Sequence, residues 1–154
     1  NFTNYNSSNG LYTNYTNSVV IDSDGNKWFA TKNGILESAV SKIDSQGNWF
    51  TIPESIGLGV TCLVVDAADN LYLGRYKQIE KYTSDGDWTV FAPASPQSMG
   101  HVAEMVIDEN QELWAVSGDG LYHYDSNGNQ TLFDATFGLV SYPRSLFIDS
   151  DQTS

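Results

Sequence analysis

Basic residues are scarce in this chain, which has 7 lysines and arginines against 19 acidic residues in 154 positions and a formal charge of −12. Binding to nucleic acid or to an anionic membrane surface depends on a basic patch that replaces the counterions around phosphate groups. The charge balance therefore excludes nucleic acid as a partner and argues against anionic membranes.

Cysteine and long apolar runs are also nearly absent. The single cysteine, Cys62, cannot form an internal disulfide, and its place in the apolar run 60–65 predicts a buried structural thiol. No stretch approaches the roughly 18 apolar residues of a membrane span, and residues 1–10 lack the regions of a signal peptide. We predict no membrane insertion, and we expect that any export signal was removed or lies outside this sequence.

A repeat organises the chain. Three segments that begin at Ile21, Val65 and Ile107 align without a gap, and each has an aspartate at its second position. Those aspartates are 44 and 42 residues apart, and a fourth copy begins with Leu146 and reaches Asp149. Periods of this length indicate a repeat architecture, with one supersecondary unit in each copy.

Each repeat contains four short apolar runs separated by Gly, Asn and Asp turns, without helical periodicity. The sequence therefore predicts an all-β partial β-propeller with four-stranded blades at about 18–52, 60–91 and 102–133. A leading last strand is predicted at 2–5 and a trailing first strand from 143. Because propellers close with about four to eight blades, we expect a part of a larger ring or a ring closed by association.

Two patterns predict how the blades pack. Trp28, Tyr72 and Trp114 occupy one equivalent position in the second strand, where a large ring would fill the gap between blades. The first strand of each repeat is continuously apolar, as in Val19–Ile21, which predicts burial on both of its faces.

The first repeat resembles that of two-component regulator propellers, which occur in sensor domains of bacterial hybrid histidine kinases and in exported proteins. The resemblance implies a periplasmic or extracellular protein. The second and third repeats depart from the pattern, with Asp69 and Gln111 in place of the turn glycine. The matching residues of the first repeat are Asp22, Gly25, Asn26, Trp28, Thr31 and Gly34.

The acidic stretch 22–26, with the sequence DSDGN, could be a calcium loop or a turn. An EF-hand loop has glycine at its sixth position and glutamate at its twelfth, whereas here glycine is fourth and Asn33 is twelfth. Asp, Asn and Gly are the residues that tight hairpin turns require. We therefore predict a turn, with no metal site and no cofactor.

The sequence contains neither a Gly-x-Ser-x-Gly elbow nor an HExxH motif, and its two histidines, His101 and His123, lie far apart. In a propeller, the loops between blades and the loops between second and third strands meet at one mouth of the central channel, where ligands commonly bind. The candidate binding residues in those loops are Lys32, Arg75, Tyr76, His101, Tyr142 and Arg144.

Three hypotheses about function follow. The leading one is a non-catalytic propeller segment of a larger exported sensor or surface protein, which binds a carbohydrate, a peptide or a protein partner. An alternative is a lyase or hydrolase with its site at the mouth of the channel, for which His101 is the clearest candidate. A third is a structural element whose open edges pair with the rest of its own propeller or with another chain.

Overall fold

The computed structural model describes residues 3–34, 36–92, 99–139 and 143–148, which fold almost entirely as β-structure. None of their helical turns has the length and apolarity of a membrane span. The first sheet contains β1 (Thr16–Ile21), β2 (Lys27–Asn33), β3 (Glu37–Ile43) and β4 (Trp49–Thr51). The second contains β5 (Cys62–Val65), β6 (Leu71–Arg75), β7 (Gln78–Tyr82) and β8 (Trp88–Ala92). The third contains β9 (Val102–Ile107), β10 (Leu113–Ser117), β11 (Gly120–Tyr124) and β12 (Gln130–Phe133).

The three sheets are the blades of a β-propeller. Each is an antiparallel meander in chain order, and the first strands lie side by side, β1 next to β5 and β5 next to β9. One buried apolar cluster joins the first and second sheets, and another joins the second and third. This arrangement confirms the predicted all-β partial propeller, and the sheets are called blades one, two and three below.

The repeated acidic stretch forms the predicted turn between the first two strands of a blade. In blade one the Asp22 N–H donates to the Asn26 carbonyl at 3.1 Å, and the Gly25 N–H donates to the Asp22 carbonyl at 3.0 Å. Gly25 has a φ of 79°, in the left-handed region that glycine enters without steric penalty. Asp69 and Gln111 take this position in blades two and three, with φ values of 59° and 62°.

Two of the three recurrent rings fill the space between blades, as predicted. Trp28 is buried and meets Tyr82 of blade two edge to face, with ring centres 6.1 Å apart. Tyr72 belongs to the cluster between blades two and three and packs edge to face on Phe91 at 5.0 Å. Trp114 is only half-buried, because it lies on the face of blade three that points away from blade two.

The inner strand of blade one contradicts the prediction that first strands are buried on both faces. Val19 and Ile21 are 55% and 59% exposed, whereas Cys62 and Leu63 of β5 are buried. Strand β5 is covered on both sides because it lies between two blades. Among the described residues, β1 has a neighbouring blade on one side only, so its apolar sequence alone does not bury it.

The N-terminal residues do not form the predicted leading strand. Residues 3–15 are irregular and cover the outer part of blade one, on the face turned away from blade two. The Tyr5 ring packs edge to face against Phe29 at 5.7 Å and Trp49 at 5.6 Å, and Leu11 joins the same buried cluster. The segment therefore covers apolar surface without adding a strand.

The predicted trailing first strand is also absent from residues 143–148. A strand is held by a hydrogen-bonded neighbour, and this segment has no neighbouring strand in the part of the chain that the structure describes. Instead, the Leu146 N–H donates to a carboxylate oxygen of Glu104 on β9 at 2.7 Å. The segment therefore contacts the inner strand of blade three through a side chain.

The single cysteine has the predicted structural role. Cys62 is buried in the cluster between blades two and three, with its Sγ 3.8 Å from the Val102 carbonyl oxygen. Burial raises the pKa of the thiol to about 12. Because the thiolate is the nucleophilic form, this cysteine is inert near neutral pH.

Candidate functional site

Five of the six predicted binding residues lie in the described part of the chain, and Tyr142 lies outside it. The loops expected at the mouth do meet there. Tyr76, between β6 and β7, forms an isolated antiparallel bridge with His101, between β8 and β9. The Lys77 N–H donates to the Gly100 carbonyl at 3.0 Å across the same two loops. The structure therefore brings Tyr76 and His101 together.

Lys32 belongs to the same part of the mouth. Partial burial lowers the pKa of His101, and the nearby Lys32 ammonium lowers it further. The Tyr76 side chain is 62% exposed, and the Lys77 ammonium lies 5.1 Å from the centre of its ring. This corner of the mouth combines basic and aromatic side chains with Asp119, which accepts from the Gly100 N–H at 3.1 Å.

The Arg75 guanidinium is held in an ion pair, and Arg144 belongs to the segment 143–148. The Arg75 guanidinium lies 2.6 Å from Oε1 of Glu80, and Gln78 donates to the same oxygen at 3.0 Å. Glu80 is buried, so Arg75 neutralises a charge inside the protein. Arg144 is exposed on segment 143–148.

A three-part arrangement of aspartate, aromatic ring and nitrogen-bearing side chain recurs at the opposite end of the blades. In blade one, the Trp28 ring N–H donates to Asp22 at 2.9 Å. The Lys42 ammonium lies 4.8 Å from the centre of the Trp28 ring, because the two residues are paired across β2 and β3. The corresponding groups are Asp66, Tyr72 and Lys81 in blade two and Asp108, Trp114 and His123 in blade three.

The hydrogen bonds that Asp22 accepts explain why an aspartate recurs at the start of each of these turns. One of its oxygens accepts from the Asn26 backbone N–H, and the other accepts from the Asn26 amide and the Trp28 ring. Burial alone would raise the pKa of Asp22, but these hydrogen bonds outweigh it and hold the pKa below its ordinary value. Asp22 is therefore an ionised anchor for the tryptophan, as well as a turn residue.

A groove of about 320 Å³ opens between blades one and two beside this arrangement. Trp28 and Phe50 of blade one and Tyr82 of blade two contribute aromatic surface to it. The groove lies at the hairpin-turn end, whereas the predicted residues Lys32 and His101 lie at the mouth. It therefore constitutes a second candidate site.

The charge of the groove is negative. Asp24, Asp44 and Asp69 line it together with the anchor Asp22, and Lys42 is the lysine among its lining residues. Hydrogen bonds from Asn48 lower the pKa of Asp44, so its carboxylate is ionised at neutral pH. Such a site repels anions and suits neutral or cationic polar groups.

Sequence reasoning missed this groove because its lining comes from turns of two different blades. The residue types of the turns predict connections alone, and the usual location of ligands in propellers favours the channel mouth at the other end of the blades. The sequence does contain one signal, because two adjacent aromatic residues, Trp49 and Phe50, follow the second turn of the first repeat.

Solved structures of similar fold support the architecture. The extracellular domain of the hybrid two-component system BT3049 from B. thetaiotaomicron matches with a TM-score of 0.73 and 18% identity, over 92% of this chain and 20% of that one. The corresponding domain of BT4673 from the same organism gives 0.70 and 20%, over 85% and 18%. Virginiamycin B lyase from Staphylococcus aureus gives 0.61 and 21%, over 77% and 41%.

These likenesses define a class of fold. The chain is a β-propeller segment that spans about a fifth of the length of the extracellular two-component-system domains it resembles. No protein-family model and no curated protein matches it. At identities near 20%, the structural likeness establishes the fold alone, and function has to be inferred from the residues of the site.

Proposed function

We propose that the chain is a non-catalytic recognition segment of a larger exported sensor or surface protein of the two-component regulator propeller type. The repeat pattern of blade one and the fold shared with extracellular domains of two-component systems support this proposal. The observation that carries the recognition role is the groove between blades one and two, where aromatic and polar groups converge on one concave surface.

The groove suits a sugar or a peptide that is neutral or basic. Phe50 is 47% exposed and offers an aromatic face for stacking. The Asp24 and Asp44 carboxylates can accept hydrogen bonds from hydroxyl or ammonium groups, and Thr83 and Ser84 add hydroxyls from blade two. Acidic peptides and phosphorylated sugars are disfavoured by the excess of carboxylates.

Calorimetric titration of the chain with neutral oligosaccharides, basic peptides and acidic peptides tests the proposal. We expect a neutral or basic compound to bind. Phe50→Ala and Asp24→Asn should each weaken that binding, and both positions are exposed. The matched control is Tyr76→Ala at the mouth, which should leave that binding unchanged. Absence of binding by every compound would overturn the recognition role for this segment.

The mouth is proposed as a second contact surface, for a peptide or protein partner. Lys32, Tyr76 and His101 would supply a basic and aromatic contact there. Binding that is lost in Tyr76→Ala but retained in Phe50→Ala would assign the ligand to the mouth instead of the groove.

We also propose that further blades of the same propeller, or another chain, pack on the outer face of blade three. That face presents Trp114 stacked on Phe133, with ring centres 6.1 Å apart, and the equivalent ring Trp28 is covered by the following blade. On blade one, residues 3–15 cover the outer part of the face turned away from blade two, whereas Val19 and Ile21 of its inner strand are exposed.

A further inference from the structure

Blade three contains a group of metal-ligating side chains on the face that points away from blade two. Ligand atoms of Asp108, Glu112 and His123 all lie within 4.8 Å of one another. Nε2 of His123 is 2.7 Å from Oε2 of Glu112. We propose that these three residues bind a divalent first-row transition metal ion, with Zn²⁺ the expected occupant.

Comparison between repeats shows that this ligand set is particular to blade three. At the positions of Glu112 and His123, blade one has Asn26 and Lys42, next to the same anchoring aspartate. A protonated lysine cannot donate an electron pair to a metal, and a neutral amide is a weak ligand for Zn²⁺. Both positions change together in blade three, and both changes introduce groups that zinc prefers.

The surrounding residues hold the three side chains in place. The Trp114 ring N–H donates to Oδ2 of Asp108 at 2.9 Å, and the Glu112 backbone N–H donates to Oδ1 of Asp108 at the same distance. The Trp114 ring stacks on the His123 imidazole with ring centres 4.0 Å apart and an interplanar angle of 21°. Outer contacts of this kind orient ligands in established metal sites and limit the reorganisation that binding requires.

The spacing is compatible with a tetrahedral ion after small movements. Zn²⁺ holds nitrogen and oxygen ligands at about 2.0–2.2 Å, which places neighbouring ligand atoms about 3.3–3.6 Å apart. His123 and Glu112 would separate slightly from their present hydrogen bond, and Asp108 would move towards them. Two carboxylates and one imidazole neutralise the ion and leave a fourth position for water or for a group from whatever packs on this face.

The site is accessible from solvent but not fully exposed, with 18% of the His123 side chain and 23% of the Glu112 side chain accessible. It lies on blade three, whereas the groove lies between blades one and two. The inference therefore does not depend on the proposed recognition role, and either can fail without the other.

Titration of the EDTA-treated and dialysed chain with Zn²⁺, Ni²⁺ and Cu²⁺ by calorimetry tests the proposal. We expect one equivalent of metal per chain. The double variant Glu112→Asn with His123→Lys restores the residues of blade one, and it should lower the affinity by more than the roughly 10–100-fold that loss of a supporting contact costs. His101→Ala removes the other histidine and should bind metal as the unaltered chain does.

Two measurements keep the outcome clear if the double variant folds poorly. Glu112→Gln preserves the shape of the side chain and removes its charge, so a lowered affinity in a folded Glu112→Gln variant supports the site. Quenching of tryptophan fluorescence by Cu²⁺ should be smaller in Trp114→Phe than in the unaltered chain, since Trp114 lies against the ligands. No saturable binding, or equal affinity in the double variant, would overturn the proposal.

Discussion

Asp69 in the first turn of blade two accepts two hydrogen bonds from Ser23 in the first turn of blade one, from its N–H at 2.9 Å and from its hydroxyl at 2.5 Å. The next pair of blades repeats the contact, where the Ala67 N–H donates to the Gln111 side chain at 2.8 Å. Both acceptors occupy the turn position at which the first repeat has glycine. The two residues that replace the turn glycine therefore form hydrogen bonds between neighbouring blades.

The first prediction distinguishes the contribution of these Asp69 hydrogen bonds to stability from that of backbone strain at the same residue. Asp69→Ala removes both hydrogen bonds and keeps a side chain at a φ of 59°, whereas Asp69→Gly removes the bonds and relieves the strain. A non-glycine residue in the left-handed region costs about 1–2 kcal/mol, and each lost hydrogen bond about 0.5–1.5 kcal/mol. We expect Asp69→Ala to be less stable than the unaltered chain in urea unfolding, and less stable than Asp69→Gly, in which relief of the strain offsets the lost hydrogen bonds in part or in full. Equal or reversed stabilities would show that strain is negligible here.

A second prediction concerns the anchor in blade one. Trp28→Phe keeps an aromatic ring between the blades but removes the N–H that donates to the buried Asp22. Leaving a buried carboxylate short of a donor costs about 1–3 kcal/mol, which urea unfolding would measure. Lys42→Met is the comparison, since losing a partly exposed cation above the ring costs about 0.5–1 kcal/mol. If Lys42→Met proved as damaging as Trp28→Phe, the ring N–H would not be the important contact.

The repeat made the architecture predictable, because register and spacing depend on the chain alone. The turn at Asp22 and the packing of Trp28 follow from local residue type and apolar pattern, and both are found as predicted. The exposure of Val19 was not predictable in the same way, since it depends on which blade stands on each side of β1. An apolar inner strand is buried only where a blade packs on each side of it, and the repeat pattern does not show which blades have such a neighbour.

The groove and the contacts between turns were less accessible from sequence. Phe50 and Tyr82 belong to different repeats and line one groove only because two blades pack side by side. At the mouth, the order of strands and loops places Tyr76 and His101 in loops at the same end of the blades, and the two residues do form a bridge. The orientation of Arg75 towards Glu80 depends on the buried face of its strand, which the charge pattern did not reveal.

A third prediction uses the pKa of His101. Its pKa in the folded chain is lowered, by partial burial first and by Lys32 second, relative to about 6.5 in an unfolded chain. The unfolded state therefore binds a proton more readily, and stability rises with pH between the folded value and about 6.5. As pH falls through this window, the chain should lose stability, and His101→Gln should reduce that loss.

Urea unfolding at a series of pH values from about 5 to 8 checks this prediction, since the difference between the two proteins isolates His101 from His123. Lys32→Met provides an intermediate case, because it removes the nearby positive charge and leaves the burial. Identical pH profiles for the unaltered chain and His101→Gln would contradict the assigned surroundings of this histidine.

The covering of blade one by residues 3–15 supplies the fourth prediction. A Cβ atom at Gly10 would lie 2.2–2.3 Å from atoms of the Trp49 ring, and Gly10 has a φ of 132°. Gly10→Ala should therefore displace the segment from Trp49, and overpacking of this kind costs about 1–3 kcal/mol. We expect a red shift in tryptophan emission and faster proteolysis within residues 3–15, while the three sheets persist in circular dichroism. Gly47→Ala is the control, since Gly47 has a φ of 89° but no atom within 4 Å of its added Cβ. If both variants lost the same stability and neither exposed the segment, strain at a left-handed residue would account for Gly10, and close packing on Trp49 would not.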